Sequence, residues 1–177
     1  MIILEITDKS ELFEPLFNVY TQYFPEIERN TLESVKGYLH ECSYNRFWDY
    51  LCLVALTDDG IIAGGLYLNV FYDIKAIVME FLFVKEKYRD LHVATGLMDY
   101  VNKQFPNFCN VIEVEKDNPV QNFWTKMGFK KSDFEYVQPP IVEGRKDYDG
   151  LMLMVKGECA DLDNVIREHY WKYAFSS

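Results

Sequence analysis

Residues 78–98 read VMEFLFVKEKYRDLHVATGLM, and the fold turns on how this stretch is divided. Residues 76–84 form a strand in which Val78, Leu82 and Val84 share the face of Glu80, while Ile77, Met79, Phe81 and Phe83 occupy the other. A strand that is apolar on both faces is central and covered. Residues 85–92 are polar, with Lys85, Lys87 and Arg89. From Val93 the spacing changes to that of a helix, with Val93, Leu97, Met98 and Val101 on one face and Pro106 closing it. A helix N-terminus after a basic loop offers unpaired N–H groups and partial positive charge, which suits a pyrophosphate. An ordinary β–α connection with solvated charges reads the same way. Neither G-x-G-x-x-G nor a Walker loop is present.

Upstream, residues 1–7 read as an opening strand. A helix is expected over 11–23, with Leu12, Leu16, Val19 and Tyr20 on one face, broken by Pro25. Asn30 or Thr31 caps a second helix carrying Leu32, Val35, Tyr38 and Leu39. Strands at 51–57 and 61–71 flank a turn at Asp58, Asp59 and Gly60, and with 76–84 they make an antiparallel meander. Downstream come a short strand at 111–115, a helix from Pro119 to Lys126 ended by Gly128, two strands at 134–137 and 151–155, and a helix over 161–175. The last two strands are joined by a loop containing Pro139, Pro140 and Gly144. Meandering strands followed by β-α-β-α units predict an α/β (α+β) fold. It is a mixed, mostly antiparallel sheet of about six or seven strands with helices on both faces.

The chain has 177 residues, 49% hydrophobic and 26% charged, which is the make-up of one globular domain spanning 1–177. A domain of this size buries on the order of 70% of its unfolded surface and needs no staple. Net charge is −10, which argues against nucleic acid and anionic membrane as partners and suits a cationic acceptor. Cys42, Cys52, Cys109 and Cys159 form no CxxC pair and have no His at ligand spacing, so no metal is expected and the thiols are read as reduced. No basic leader precedes an apolar run, and the chain is placed in the cytoplasm.

Two motifs in order resemble one family. Arg89 and Ala94 match the first and last positions of the Q/R-x-x-G-x-G/A signature, motif A, of the GCN5-related N-acetyltransferases (GNAT); His92 stands where the family usually has Gly. Residues 117–129, DNPVQNFWTKMGF, resemble motif B of that family. The resemblance covers about 51–155. It implies strands that part in a V, here 76–84 and 111–115, and acetyl-CoA as cofactor. Main-chain groups of Leu82, Phe83 and Val84 would bind the pantetheine. Amides of Arg89, Asp90, Leu91, His92, Val93, Ala94 and Thr95 would wrap the pyrophosphate. Asp117, Asn118, Asn122, Phe123, Trp124 and Lys126 would line the cofactor's other side.

Glu80 is the candidate catalytic residue. A carboxylate in a covered strand is costly unless it is paired or lines a wet cavity, and partial burial raises its pKa towards the range of a general base. The family often places a Glu here for that purpose; a structural Glu paired to a nearby Lys, Arg or Tyr is the plainer alternative. Trp124 occupies the position where many members have an acidic Tyr, and an indole N–H is a donor without a usable proton. Phe24 and Glu26, between the first helices, and Tyr72 and Tyr136 are candidate acceptor-binding residues, with the acceptor entering beside the loop 138–149. The expected function is direct acetyl transfer from acetyl-CoA to a primary amine of a small molecule or peptide, by a monomer or homodimer. The alternatives are a CoA-binding sensor without turnover, and a structural domain that docks through the aromatic end of its terminal helix.

Overall fold

The structure is a computed structural model that describes residues 1–140 and 147–174. In chain order its elements are β1 (Ile2–Ile6), α1 (Phe13–Tyr20), α2 (Leu32–Cys42), β2 (Trp48–Leu56), β3 (Ile62–Phe71), β4 (Ala76–Val84), α3 (Val93–Gln104), β5 (Cys109–Glu115), α4 (Val120–Lys126), β6 (Lys130–Lys131), β7 (Leu151–Lys156) and α5 (Trp171–Ala174). Two 3-10 turns, Glu26–Glu28 and Glu86–Leu91, and a π-helix, Asn164–Tyr170, complete the list. The strands form one seven-stranded sheet in the order β1-β2-β3-β4-β5-β7-β6, mostly antiparallel as expected. β4 and β5 are a parallel pair, with Ala76–Met79 against Cys109–Ile112. That register ends at Met79 and Ile112, although β4 runs on to Val84 and β5 to Glu115.

The backbone clusters into two units, 1–70 with 80–106 and 71–79 with 107–177. In the first, consecutive glycines of β3 show what lies on each face. A side chain at Gly65 would collide with the Phe83 ring and Leu16 of α1; one at Gly64 would meet the Phe83 carbonyl and Val93 of α3. α1 and α3 therefore cover opposite faces, and only glycine allows so close an approach. Phe13, Leu16 and Tyr20 of α1 and Val93, Leu97 and Met98 of α3 are buried. α1 is shorter than expected. After Tyr20 the chain tightens into three-residue turns, and the Arg29 guanidinium donates to the carbonyls of Thr21 (2.8 Å) and Phe24 (3.1 Å), which would otherwise lack partners. Thr31 caps α2, its Oγ1 accepting from Ser34 N–H at 3.0 Å.

In the second unit β5 pairs with β7 from Asn110↔Lys156 to Glu115↔Leu151. Three expectations are corrected here. No strand forms at 134–137: the pairing of β6 with β7, Lys130↔Val155 and Lys131↔Met154, carries residue 135 and those after it past the start of β7 at Leu151, and among the described residues only the bridge Gln138↔Tyr148 follows. The terminal helix is π-wound over most of its described length. Its bonds run from i to i+5, and Val165, Ile166 and Tyr170 are buried. Finally, Cys109 and Cys159 form a disulfide, while Cys42 and Cys52 are free and buried. The register explains the pairing: Lys156 lies opposite Asn110, and the turn at Gly157 keeps the chain beside Cys109. Gly144 and the middle of the loop 138–149 lie outside the described residues, as does Phe175. No helix among the described residues is long and apolar enough to cross a membrane.

Candidate active site

β4 is buried from Ala76 to Met79 and half-buried from Glu80 to Leu82. At that change stands Glu80, whose two oxygens receive three donors. Oε1 accepts from Asn69 Nδ2 at 2.9 Å. Oε2 accepts from the Tyr50 hydroxyl at 2.9 Å and Asn30 Nδ2 at 3.3 Å. All four residues belong to the first unit. Asn30 also donates its backbone N–H to the Tyr20 hydroxyl at 2.9 Å. Phe81, next along the strand, packs edge-on against that same Tyr20 at 5.0 Å. Glu80 and Phe81 thus both meet groups on the α1 side, and the strict alternation expected across this step is not kept, as happens at a β-bulge.

Enclosure removes water from the Glu80 carboxyl and pushes its pKa up to about 7; the bonds from Tyr50, Asn69 and Asn30 favour the ionised form and oppose that rise. Desolvation wins, so the group changes charge near neutral pH. Burial pushes the Tyr50 phenol well above its usual value, and it stays protonated.

The wall beside Glu80 is aromatic. Phe81 packs on Phe24 at 4.9 Å, and Phe83 stacks with Tyr23 at 6.1 Å. Tyr20 and Tyr67 lie 4.9 Å apart between them. Phe24 is thus brought to the neighbourhood of Glu80, and Glu26 is exposed in the turn that follows it.

Past Val84, Arg89, Asp90, Leu91 and His92 are exposed, and α3 begins at Val93. His92 adopts φ 55°, ψ 29°, the left-handed conformation that glycine takes most easily. His92 takes this conformation with its side chain exposed. No side chain caps α3, and its first intrahelical bond is from Gly96 N–H to His92 carbonyl at 2.9 Å. The N–H groups of Val93, Ala94 and Thr95 lie ahead of that bond, so this end has the donors a pyrophosphate needs.

The remaining candidates lie in the second unit. Pro119 stands at the N-cap of α4, and just ahead of it Asn118 Oδ1 accepts from Val120 N–H at 2.9 Å. Asp117, Asn122 and Lys126 are exposed and Phe123 is half-buried. Trp124 is buried, edge-on to Phe123 and Phe129 at 5.0 and 5.1 Å. Tyr72 is exposed beside Phe108. Tyr136 is buried, and its hydroxyl donates to Glu113.

Sequence reasoning missed Tyr50, Asn69 and Asn30 around Glu80, and Glu113 with Tyr170 and Gln138 in the second unit. One signal was available: Asn69 sits in the otherwise apolar run of β3, and a buried amide is costly without partners.

The sequence profile of the Acetyltransferase (GNAT) family matches residues 13–129. Among solved structures, a protein assigned to the GNAT family of acetyltransferases from Bacteroides thetaiotaomicron superposes with a TM-score of 0.78 at 19% identity, covering 100% of this chain and 99% of that one. The PaiA N-acetyltransferase of Thermoplasma acidophilum, solved with coenzyme A, gives 0.63 at 19% identity, covering 89% of this chain and 100% of its own. The aminoglycoside 6'-N-acetyltransferase of Enterococcus faecium gives 0.61 at 18%, covering 88% and 96%. No curated protein sequence matches significantly. With the family profile spanning most of the chain, this protein belongs to the GNAT family of N-acetyltransferases, whose standard cofactor is acetyl-CoA.

Proposed function

We propose that this protein transfers an acetyl group directly from acetyl-CoA to a primary amine, with Glu80 as the general base. The observation that carries this reading is the Glu80 carboxyl, held by three donors and pushed up to about 7. An ordinary carboxylate near about 4.3 is a poor base for an alkylammonium near about 10.4; raising it narrows the gap by more than two units. Glu80 holds the proton removed from the acceptor nitrogen, directly or through one water.

Acetyl-CoA supplies the acetyl group activated as a thioester. The chain's part is to bind and orient it. The residues proposed to do so in the first unit are the main chain of Leu82, Phe83 and Val84 and the uncapped N–H groups that open α3. A main-chain N–H near Phe83 or Val84 is proposed to stabilise the developing oxyanion. Phe24 and Glu26 are proposed to face the acceptor, the carboxylate favouring a cationic one. Trp124, packed between two phenyl rings, supplies no proton, so as the C–N bond forms and the C–S bond breaks CoA leaves as its thiolate, whose ordinary pKa is about 8.5, and takes its proton from water.

Two measurements test the reading. CoA at ~100 times its dissociation constant should stabilise the protein by ~2.7 kcal/mol in thermal unfolding. Thiol release from acetyl-CoA should then appear with at least one primary amine, and kcat/KM should rise with pH through about 7. The buried Trp124 is the observation that favours a CoA sensor instead; stabilisation by CoA with no thiol release for any amine would establish that reading.

A further inference from the structure

Asn69 is 1% exposed in the middle of β3, so its amide must find every partner inside the protein. It has one on each end. Oδ1 accepts from the indole Nε1 of Trp48 at 2.9 Å, and Nδ2 donates to Glu80 Oε1 at 2.9 Å. The two ends of an amide are nearly the same shape, and here chemistry chooses between them. An indole N–H can only donate, so the end that faces it is the oxygen. The NH2 is then turned to Glu80.

The two oxygens of Glu80 therefore differ. Oε1 faces an amide that can only donate, so a proton placed there would oppose a fixed N–H. Oε2 faces the Tyr50 hydroxyl, which can accept as well as donate, and a longer bond from Asn30 Nδ2, whose nitrogen is also 3.4 Å from the Tyr50 oxygen. We propose that Trp48 and Asn69 are positioning residues for the proposed base: the indole fixes the amide, the amide keeps Oε1 an acceptor, and the proton taken from the amine is carried on Oε2. This rests on the reading of Glu80 as base, but the orientation can be measured without turnover.

The titratable groups facing Glu80 are Tyr20 from α1, Tyr38 from α2, and Tyr50 and Cys52 from β2. Each is pushed upward and stays neutral through pH 7, so a titration there reports Glu80.

The experiment is carboxyl 13C NMR of the whole protein labelled at glutamate, with the Glu80 resonance assigned by Glu80→Gln. Asn69→Leu should raise the Glu80 midpoint by about one pH unit, because a donor to the charged form is lost. Trp48→Phe keeps an aromatic ring but frees the amide to turn, and should move the midpoint the same way by less. In the Asn69→Leu background, Trp48→Phe should add nothing, since the indole acts through the amide. Asn69→Ser, with a small side chain, replaces Asn69→Leu should the larger change prevent folding. An unchanged midpoint in Trp48→Phe, or an equal shift in both backgrounds, would overturn the proposal. If amines are acetylated, the inflection of kcat/KM with pH should follow the NMR midpoint while the KM for acetyl-CoA stays put. If no amine is acetylated, the midpoints still decide the orientation, and only the reading of Glu80 as a base is lost.

Discussion

Two glutamates on neighbouring strands are each held by hydroxyl and amide donors, yet their settings differ. Glu80 of β4 takes its donors from residues 30, 50 and 69, all earlier in the chain. Glu113 of β5 takes hers from later ones: the hydroxyls of Tyr136 and Tyr170, the latter at 3.3 Å, and Gln138 Nε2 at 3.3 and 3.4 Å from the two oxygens. Four residues before Glu113, Cys109 is also joined covalently to Cys159. The second carboxylate is thus a tie point for a strand, a loop and the terminal π-helix. The first lies beside an aromatic wall and ties down little beyond its own donors. The lesson is that similar partners can hold either a carboxyl of the kind proposed here as a base or a structural clamp, depending on what else the donors hold.

The largest effect that sharpens this contrast is expected at the covalent tie. The disulfide spans a sequence separation of 50, and in the chain-entropy account removing it by Cys109→Ser costs about 4 kcal/mol. Urea unfolding of the oxidised protein measures this, and adding reductant to the variant should change nothing further.

Next is the pH dependence of stability. Glu80 holds its proton more tightly folded than unfolded, so its contribution is full below about pH 4.5 and is lost as pH rises through about 7. Glu80→Gln removes that loss. At pH 8 the variant should be more stable than the parent by about 3 kcal/mol, a gap that closes on acidification to pH 5. Parallel urea midpoints at both pH values check it.

For the reaction, Glu80→Gln should lower kcat about 10²-fold, about 2.7 kcal/mol of barrier, with CoA affinity nearly unchanged. Steady-state thiol release and CoA titration provide the comparison. Glu113→Gln should do the reverse, leaving kcat within a few-fold but costing about 2 kcal/mol of stability as two buried hydroxyls lose their carboxyl acceptor. A kcat loss in Glu113→Gln as large as that in Glu80→Gln would erase the distinction between base and clamp.

Much of this was legible without coordinates. β4 and α3 have the expected bounds, because strand alternation, helical spacing and Pro106 are local signals. Pro119 and Gly128 mark the start and end of α4 for the same reason, the glycine at φ 90°. What misled were segments whose state depends on a distant partner. Residues 134–137 have strand composition, but the register of β6 carries them to the start of β7 and beyond it. The terminal helix has an apolar stripe, but burying Tyr170 against Glu113 goes with π-winding that no local pattern announces.

By itself the sequence determined the order of elements from β1 to α4, the family, and a glutamate within the covered strand that leads to a basic loop. These follow from near-neighbour periodicity and from motifs that are continuous in the chain. Only the tertiary structure decided which donors reach Glu80, which end of Asn69 faces it, and that Cys109 meets Cys159. Each of those is a contact across many residues, set by strand register, and a register slip of one residue would abolish it.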